Sequence, residues 1–356
     1  MLYQWIISLP MMVCLFWAAF FIIRFFQPGD ELRVKRSIVL FYLAATILYF
    51  DHWLFFSGVI RLAGEWSYGI VNLCVYPLYY AYLRALTRAN RGGYELSALF
   101  SPALIAVFLF PVGRYTGLLT DDQTFLFVRI SFSIQVVWVL VRGYQLLHNT
   151  IRRMDNTYSD YRSRLLQPTR ISLILFGATS AVSMILNFLG RDYFTQNASV
   201  AAPAVVMTCL LFGLGYVAAH TLLPVETVSE EPVLTQPETE EETDTLIRVI
   251  DTTMREQRLY TRSDLTILDL AAAVNSNRTY VSNAINRTYR ISFSQYIARQ
   301  RVAYAQMVLK DTRYKTDKAA VADAIMLSGF TSDQNFYRVF KEQTGLTPLQ
   351  FRHQNS

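Results

Sequence analysis

Two stretches near the carboxyl end decide how the charged part of the chain folds: LDLAAAVNSNRTYVSNAINR, Leu268 to Arg287, and GFTSDQNFYRVFKEQTGLTPLQFR, Gly329 to Arg352. Ahead of the first, Thr266 stands three residues before Asp269, an approximate capping box opening a helix through Leu268, Leu270, Ala271 and Val274. Small residues from Ala271 to Ala273 permit a close helix crossing, and Asn275 to Asn277 read as a turn. Asn277 can cap a second helix from Arg278 to about Arg287. Helical spacing turns Val281, Ala284 and Ile285 inward and leaves Arg278, Thr279, Ser282, Asn283, Asn286 and Arg287 outward. The pattern then repeats. Asp317 can cap a helix through Met326, Ser328-Gly329-Phe330 turns the chain, and Thr331 with Gln334 opens a helix through Gln343. That helix points Phe336, Val339 and Phe340 inward, Gly345 ends it, and Thr347-Pro348 starts a short last helix as an N-cap and N1 pair. Between the units an amphipathic helix runs from about Phe293 to Lys310. Helix, tight turn and a second helix with a polar, basic outer face make a helix-turn-helix, here twice over.

Toward the amino end, Thr245 to Met254 sets Leu246, Val249, Ile250 and Met254 on one face of an opening helix. Before it the composition changes. No Lys or Arg occurs from Asp192 to Ile247, while Glu226, Glu230, Glu231, Glu238, Glu240, Glu241, Glu242 and Asp244 accumulate among Pro224, Pro232 and Pro237. High net charge with prolines and few large apolar groups reads as a flexible acidic linker over residues 224–244.

Upstream of the linker the chain is apolar. Over all 356 residues only 17% are charged, below the quarter or so usual for soluble domains, so the average conceals two unlike parts. Seven stretches approach the roughly 20 apolar residues that cross a bilayer core: approximately Leu2 to Phe26, Ser37 to Ser57, Trp66 to Leu86, Leu96 to Val112, Thr124 to Leu147, Ile171 to Leu189 and Ser199 to Leu222. The first lacks a basic leader and has Arg24 after its apolar run, and is read as a retained helix. Alternate connections hold thirteen Lys or Arg (Arg24, Arg33, Lys35, Arg36; Arg84, Arg88, Arg91; Arg142, Arg152, Arg153, Arg162, Arg164, Arg170) against three (Arg61, Arg114, Arg191). Basic residues are retained on the cytoplasmic side, so the amino terminus is placed outside and an odd number of spans leaves the carboxyl end inside.

The resulting expectation is an all-α chain: a seven-transmembrane helix bundle over residues 1–223, the linker, and a soluble domain over residues 245–356 with two helix-turn-helix units joined by a long helix. It would sit as a multi-pass protein in a bacterial cytoplasmic membrane. Ionisable groups within spans are costly and seldom incidental. Asp51, His52, Asn72, Arg129 and Asn187 fall in the outer halves of their spans and form a candidate sensor pocket, with Asp51 and Arg129 as a candidate ion pair. The competing reading is that these groups merely satisfy one another. Cys14, Cys74 and Cys209 lie far apart in apolar runs and read as small buried side chains, so no metal site is expected.

From Leu270 to Leu309 and from Gly329 to Arg352 the sequence resembles the DNA-binding domain of AraC-family transcription regulators, including the Gly-Phe turn, the run Phe336-Tyr337-Arg338-Val339-Phe340-Lys341, and the Gly345-to-Pro348 ending. Two departures stand out: Arg290 occupies a position where the family usually has Gly, and Ala324-Ile325 stands where Ile-Ala is usual. The resemblance implies that the second helix of each unit enters the major groove on one DNA face. By position it assigns base reading to Thr279, Ser282 and Asn283 in the first unit and to Asp333, Gln334, Tyr337 and Arg338 in the second. Arg278, Arg287, Arg301 and Lys341 are then the phosphate-holding residues. From Asp244 onward sixteen Lys or Arg face ten Asp or Glu, an excess that suits a polyanionic partner.

Promoter DNA, membrane lipid and a signal ligand of unknown identity are the expected partners, with a homodimer left open; neither a cofactor nor catalysis is expected. The bundle has no His, Asp or Glu cluster at acid–base or metal spacing. A transporter or enzyme carrying a regulatory DNA-binding domain remains the alternative, as does an anchor that releases the domain by proteolysis.

Overall fold

The computed structural model describes residues 2–26, 32–57, 64–87, 93–159, 166–189, 201–221, 240–311, 313 and 316–355. The residues described are helical apart from short turns and one isolated bridge. Contacts divide the chain into two units: Met1–Asn149 with Leu165–Thr227, and Thr150–Arg164 with Val228–Ser356.

The first unit holds seven long helices: α1 (Leu2–Phe25), α2 (Leu32–Phe56), α3 (Gly64–Leu86), α4 (Gly93–Thr116), α5 (Asp121–Asp155), α6 (Gln167–Leu189) and α7 (Ala201–Thr221). All seven expected segments are therefore helices. Among the described residues five stretches are long and apolar enough to cross a membrane: Tyr3–Phe25, Leu32–Phe56, Tyr94–Gly113, Asp122–Asp155 and Ala201–His220. Thus α3 and α6 fall short of the expected seven. For α3 the reason is compositional: it carries Glu65, Asn72, Arg84 and five tyrosines. Helix α6 has no charged residue after Arg170, and several of its side chains lie outside the described residues.

Aromatic side chains fill the interior of this unit. Trp17 and Phe21 of α1 stack at 5.6 Å, Phe21 meets Tyr42 of α2 at 5.8 Å, and Tyr76 and Tyr79 of α3 each lie 5.2 Å from Phe176 of α6. A Cβ on Gly215 would fall 2.3 Å from the Trp17 indole, so only glycine lets α7 approach α1 this closely. Buried polar groups find partners across helices. Tyr42 donates to the Leu211 carbonyl at 2.9 Å, Gln135 Nε2 to the Leu99 carbonyl at 2.6 Å, and Tyr76 and Ser180 share a 2.5 Å hydrogen bond. Cys14 is buried as expected, whereas Cys209 is exposed because it lies on an outward face of α7.

The second unit contains α8 (Glu240–Glu256), a 3₁₀ turn (Leu259–Thr261), α9 (Ile267–Ala273), α10 (Arg278–Tyr289), α11 (Phe293–Leu309), α12 (Asp317–Leu327), α13 (Asp333–Thr344) and α14 (Pro348–Asn355). Helix α8 begins five residues ahead of the expected Thr245. Its added Glu240, Glu241, Glu242 and Asp244 sit where the helix dipole favours acidic groups. The capping box of Thr266 and Asp269 forms, and Asn277 accepts from the Tyr280 amide. Two expected caps move by one residue: Thr316 rather than Asp317 caps α12, and Ser332 rather than Thr331 caps α13. In each case the capping hydroxyl accepts from the amide three residues ahead, which the neighbouring position does not reach.

Helix α11 is the spine of this unit. Its first half, with Phe293, Tyr296 and Ile297, closes a core around Ile250, Met254, Leu270, Val281 and Ile285. Its second half, with Val302, Ala305 and Leu309, closes another around Ala320, Ala324, Phe336, Val339 and Phe340. Asp251 pins α8 to both later elements of the first core, accepting from Tyr289 at 2.5 Å and Tyr296 at 2.6 Å. Burial and then the Asp251 carboxylate push the Tyr289 hydroxyl up to about 12. At the expected Gly position Arg290 adopts the left-handed conformation with φ of 56° and closes α10 all the same. Gly329 lies at φ +79°, and a Cβ there would meet the Thr261 carbonyl oxygen at 2.5 Å. Both the angle and the backbone contact forbid a side chain.

Substituting Gly329→Ala should therefore destabilise the second unit by about 2 kcal/mol or more. Hydrogen exchange across α11 to α13 in the full chain checks this; unchanged protection would mean the turn tolerates a Cβ.

Candidate nucleic-acid interface

The outer faces of α10 and α13 are what the two cores leave uncovered. On α10, Val281, Ala284 and Ile285 are fully buried, while Thr279 and Ser282 are half-buried and Asn283 and Arg287 exposed. On α13, Phe336, Val339 and Phe340 are buried, and Asp333, Gln334, Tyr337 and Lys341 are exposed. The expected base-reading residues thus share the solvent face of their helices, in each unit near the helix start. Asn286 Nδ2 donates to Ser282 Oγ at 3.2 Å, ordering the first face.

The basic residues separate into two kinds. Arg287 and Lys341 are exposed and have no ion-pair partner among the described residues, which leaves them available to phosphate. Arg338 is half-buried and held at 2.7 Å by Glu342, four residues on, with Nη2 donating to Asn335 Oδ1 at 2.6 Å. That arrangement fixes the guanidinium over the α13 face, and an exposed i, i+4 pair of this kind contributes only about 0.3–0.5 kcal/mol. A guanine edge therefore competes with Glu342 on nearly equal terms. Arg278 Nη2 donates to Thr157 Oγ1 at 3.0 Å.

Arg301 is a correction. The expected phosphate contact is 2% exposed, the largest fully buried side chain described. Its Nε donates to the Tyr260 carbonyl at 2.8 Å, and Nη2 to the Arg262 carbonyl at 2.7 Å and Ser159 Oγ at 3.1 Å. The guanidinium also lies 5.8 Å over the Phe330 ring. A group satisfied on every side and shut from solvent is placed to hold the domain together, not a phosphate. Helix α14 contributes a similar buried arginine: Arg352 donates to Asp317 at 2.9 Å and to the Leu309 carbonyl at 2.9 Å, closing the end of α11.

Sequence reasoning also missed Thr157, Tyr158 and Ser159, which follow α5 in the chain and are all buried in the second unit. Tyr158 forms an antiparallel bridge with Thr266. A single bridge formed across 108 positions leaves no periodic trace in the sequence, so no local signal announces it.

In the first unit, the structure describes the side chains of four of the five candidate sensor residues. Asp51 accepts from Ser67 Oγ at 2.8 Å, and no ion pair joins it to Arg129 among the described residues. The His52 ring meets the Tyr68 ring edge-on at 4.8 Å. Asn72 is 5% exposed with Nδ2 lacking a hydrogen-bond partner, and Arg129 is half-buried on α5. The side chain of Asn187 lies outside the described residues. An Asp51 carboxylate already met by a hydroxyl on the adjacent helix loses the incentive to seek a cation. Among the described residues no group of three His, Cys, Asp or Glu is placed to hold a metal ion.

Comparison with known proteins agrees with this geometry. Residues 270–354 match the family model described as "Helix-turn-helix domain". The melibiose operon regulatory protein of Escherichia coli (strain K12) is 33% identical over 88 residues, 25% of this chain and 28% of that protein. The uncharacterized HTH-type transcriptional regulator YtdP of Bacillus subtilis (strain 168) is 33% identical over 92 residues, 26% of this chain and 11% of that protein. The chain thus spans less than a third of the length of these relatives. No solved structure matches it. The carboxyl-terminal unit carries a helix-turn-helix domain of the AraC type.

Replacing Arg287 or Lys341 with Ala should lower the slope of log affinity for duplex DNA against log salt by about one each. Arg301→Ala should instead destabilise the domain, by about 3–5 kcal/mol as for a broken buried charge cluster, while the fraction that stays folded keeps the original slope. Salt titrations and denaturant melts of the same variants distinguish the two kinds of arginine.

Proposed function

We propose that the chain is a membrane-bound one-component transcription regulator. It binds promoter DNA through α10 and α13 and responds to an extracytoplasmic or intramembrane signal received by the helical bundle. The observation that carries the first half is the pair of recognition faces just described: two polar, partly basic helix surfaces on one shared spine, within a stretch that matches a helix-turn-helix domain. Thr279, Ser282 and Asn283 read bases for the first unit, and Asp333, Gln334, Tyr337 and Arg338 for the second. Arg278, Arg287 and Lys341 hold phosphates, which fix register without specifying sequence. The similar proteins that carry regulator names support the same reading.

The membrane half of the proposal rests on surface chemistry. Five helices are long and apolar enough to span a bilayer, yet only 28–39% of each apolar window is buried inside the protein. Ile23 is 69% exposed, Phe108 70% and Ile134 63%. Apolar surface of this extent requires an apolar surrounding, and a bilayer supplies it. The basic residues of alternate connections, at the ends of α1, α2, α3, α5 and α6, support a topology with the amino terminus outside and the DNA-binding domain in the cytoplasm of a bacterium. Residues 1–223 form the bundle, 224–244 the acidic link and 245–356 the DNA-binding domain, to which residues 157–159 add a strap.

In lipid nanodiscs the full chain should retain genomic fragments with an affinity that falls steeply with salt. Arg338→Ala should cost about 1–3 kcal/mol at one base position of the selected site. A carboxyl-terminal tag should be inaccessible from outside intact cells. Exposure of that tag outside, or salt-insensitive retention, would refute the reading.

A further inference from the structure

The three residues that follow α5 belong, by their contacts, to the DNA-binding unit. Ser159 N–H donates to the Leu265 carbonyl at 3.1 Å and Ile267 N–H to the Thr157 carbonyl at 2.9 Å, framing the Tyr158–Thr266 bridge at the start of α9. Thr157 Oγ1 accepts from Arg278, the first residue of the α10 recognition helix, at 3.0 Å. Ser159 gives Arg301 two acceptors, its carbonyl at 3.4 Å and its hydroxyl at 3.1 Å. Thr157 is 3% exposed and Ser159 1%, so these bonds are shielded from competing water.

From Arg301 the contacts continue into the second helix-turn-helix. The guanidinium is clamped to the Tyr260 carbonyl within the 3₁₀ turn and the Arg262 carbonyl just after it, and lies over Phe330 in the turn between α12 and α13. Gly329, beside Phe330, packs so closely on the Thr261 carbonyl that no Cβ fits. One contiguous set of contacts therefore runs from Thr157 and Ser159 to the first recognition helix through Arg278 and to the second through Arg301, Phe330 and Gly329. At its other end the strap is continuous with α5. Asn156 N–H donates to the Arg152 carbonyl at 3.0 Å, and the Thr157 and Tyr158 amides to the Met154 carbonyl at 3.1 and 3.0 Å, so the strap leaves the helix through a closed turn.

We propose that Thr157–Ser159 is the coupling element through which α5 sets the relative docking of the two helix-turn-helix units. The proposal rests on the regulator reading above and deepens it. A shift or rotation of α5 moves Thr157 and Ser159 through peptide bonds alone. Withdrawal of the strap deprives a fully buried guanidinium of two acceptors and frees Arg278. The cost falls on the contact that holds the Phe330 turn against the first unit, so the two recognition faces lose their fixed relation. Thr157, Ser159 and Arg301 are positioning residues in this scheme; none touches DNA.

The test uses the full chain in nanodiscs, with Cys14, Cys74 and Cys209 replaced and spin labels at Arg287→Cys and Lys341→Cys to read the separation of the recognition helices. The double variant Thr157→Val/Ser159→Ala should broaden that distance distribution. Without labels it should bind a duplex carrying both half-sites about tenfold more weakly, while its affinity for a single half-site changes less than twofold. An unchanged distribution in a folded double variant overturns the proposal. Should the double variant fail to fold, a disulfide lock provides the second measurement. The bonds on either side of the Tyr158–Thr266 bridge mark it as a non-hydrogen-bonded pair, with Cα atoms about 4.5 Å apart and so within disulfide range of about 4.4–6.8 Å. Oxidised Tyr158→Cys/Thr266→Cys should give a narrower distribution than the same protein reduced; equal widths overturn the proposal. Absence of DNA binding in every variant would count against the regulator reading alone, because the distances test the strap without DNA.

Discussion

The carboxyl-terminal unit depends on one buried guanidinium. Arg301 sits at the middle of α11, where the first core ends and the second begins, and its donors reach the Tyr260 carbonyl in the 3₁₀ turn, the Arg262 carbonyl after it and the Ser159 strap. A charge this deep is tolerated only because each face of it is met, by carbonyl dipoles on one side and the Phe330 ring on the other. The apolar cores make each helix-turn-helix compact separately. Helix α11 runs through both cores, and the polar contact around Arg301 adds a second connection between the units at their seam.

A similar economy governs the bundle. Its interior is aromatic, and the buried Tyr42 and Gln135 side chains donate to backbone carbonyls on neighbouring helices. Arg142 of α5 and Glu95 of α4 form a 2.7 Å ion pair, with Tyr80 of α3 donating to the same carboxylate at 2.9 Å, so three helices meet at one carboxylate near the basic ends of α3 and α5. The outward faces are apolar. Helix α5 is the longest element described, and its final residues belong to the second unit. Covalent continuity through α5 thus joins the helical bundle to the helix-turn-helix unit by a route that does not pass through the acidic stretch 224–244.

Much of the recognition surface was legible because helix periodicity and capping are local. Val281, Ala284 and Ile285 had to face one way and Thr279, Ser282 and Asn283 the other, whatever the rest of the molecule did. The one-residue cap shifts at Thr316 and Ser332 reflect the usual ambiguity when two hydroxyl or carboxyl residues adjoin a helix start. Arg301 was misread for a physical reason: an arginine on a basic helix near a recognition motif has the composition of a phosphate contact, and only packing reveals that its face is turned inward. For Asp51, burial calls for some partner to a carboxylate without naming it, and the structure supplies the Ser67 hydroxyl at 2.8 Å.

The sequence by itself determined the helices, the two-part organisation, the repeated turn and the identity of the residues exposed on α10 and α13. These follow from apolar spacing, charge distribution and glycine or N-cap chemistry, each read within a few neighbouring residues. Tertiary structure alone decided that Arg301 is interior, and that Thr157 to Ser159 complete a domain more than a hundred positions away. Such contacts depend on which surfaces meet after folding, and a bridge of one residue pair carries no periodicity for the chain to display in advance.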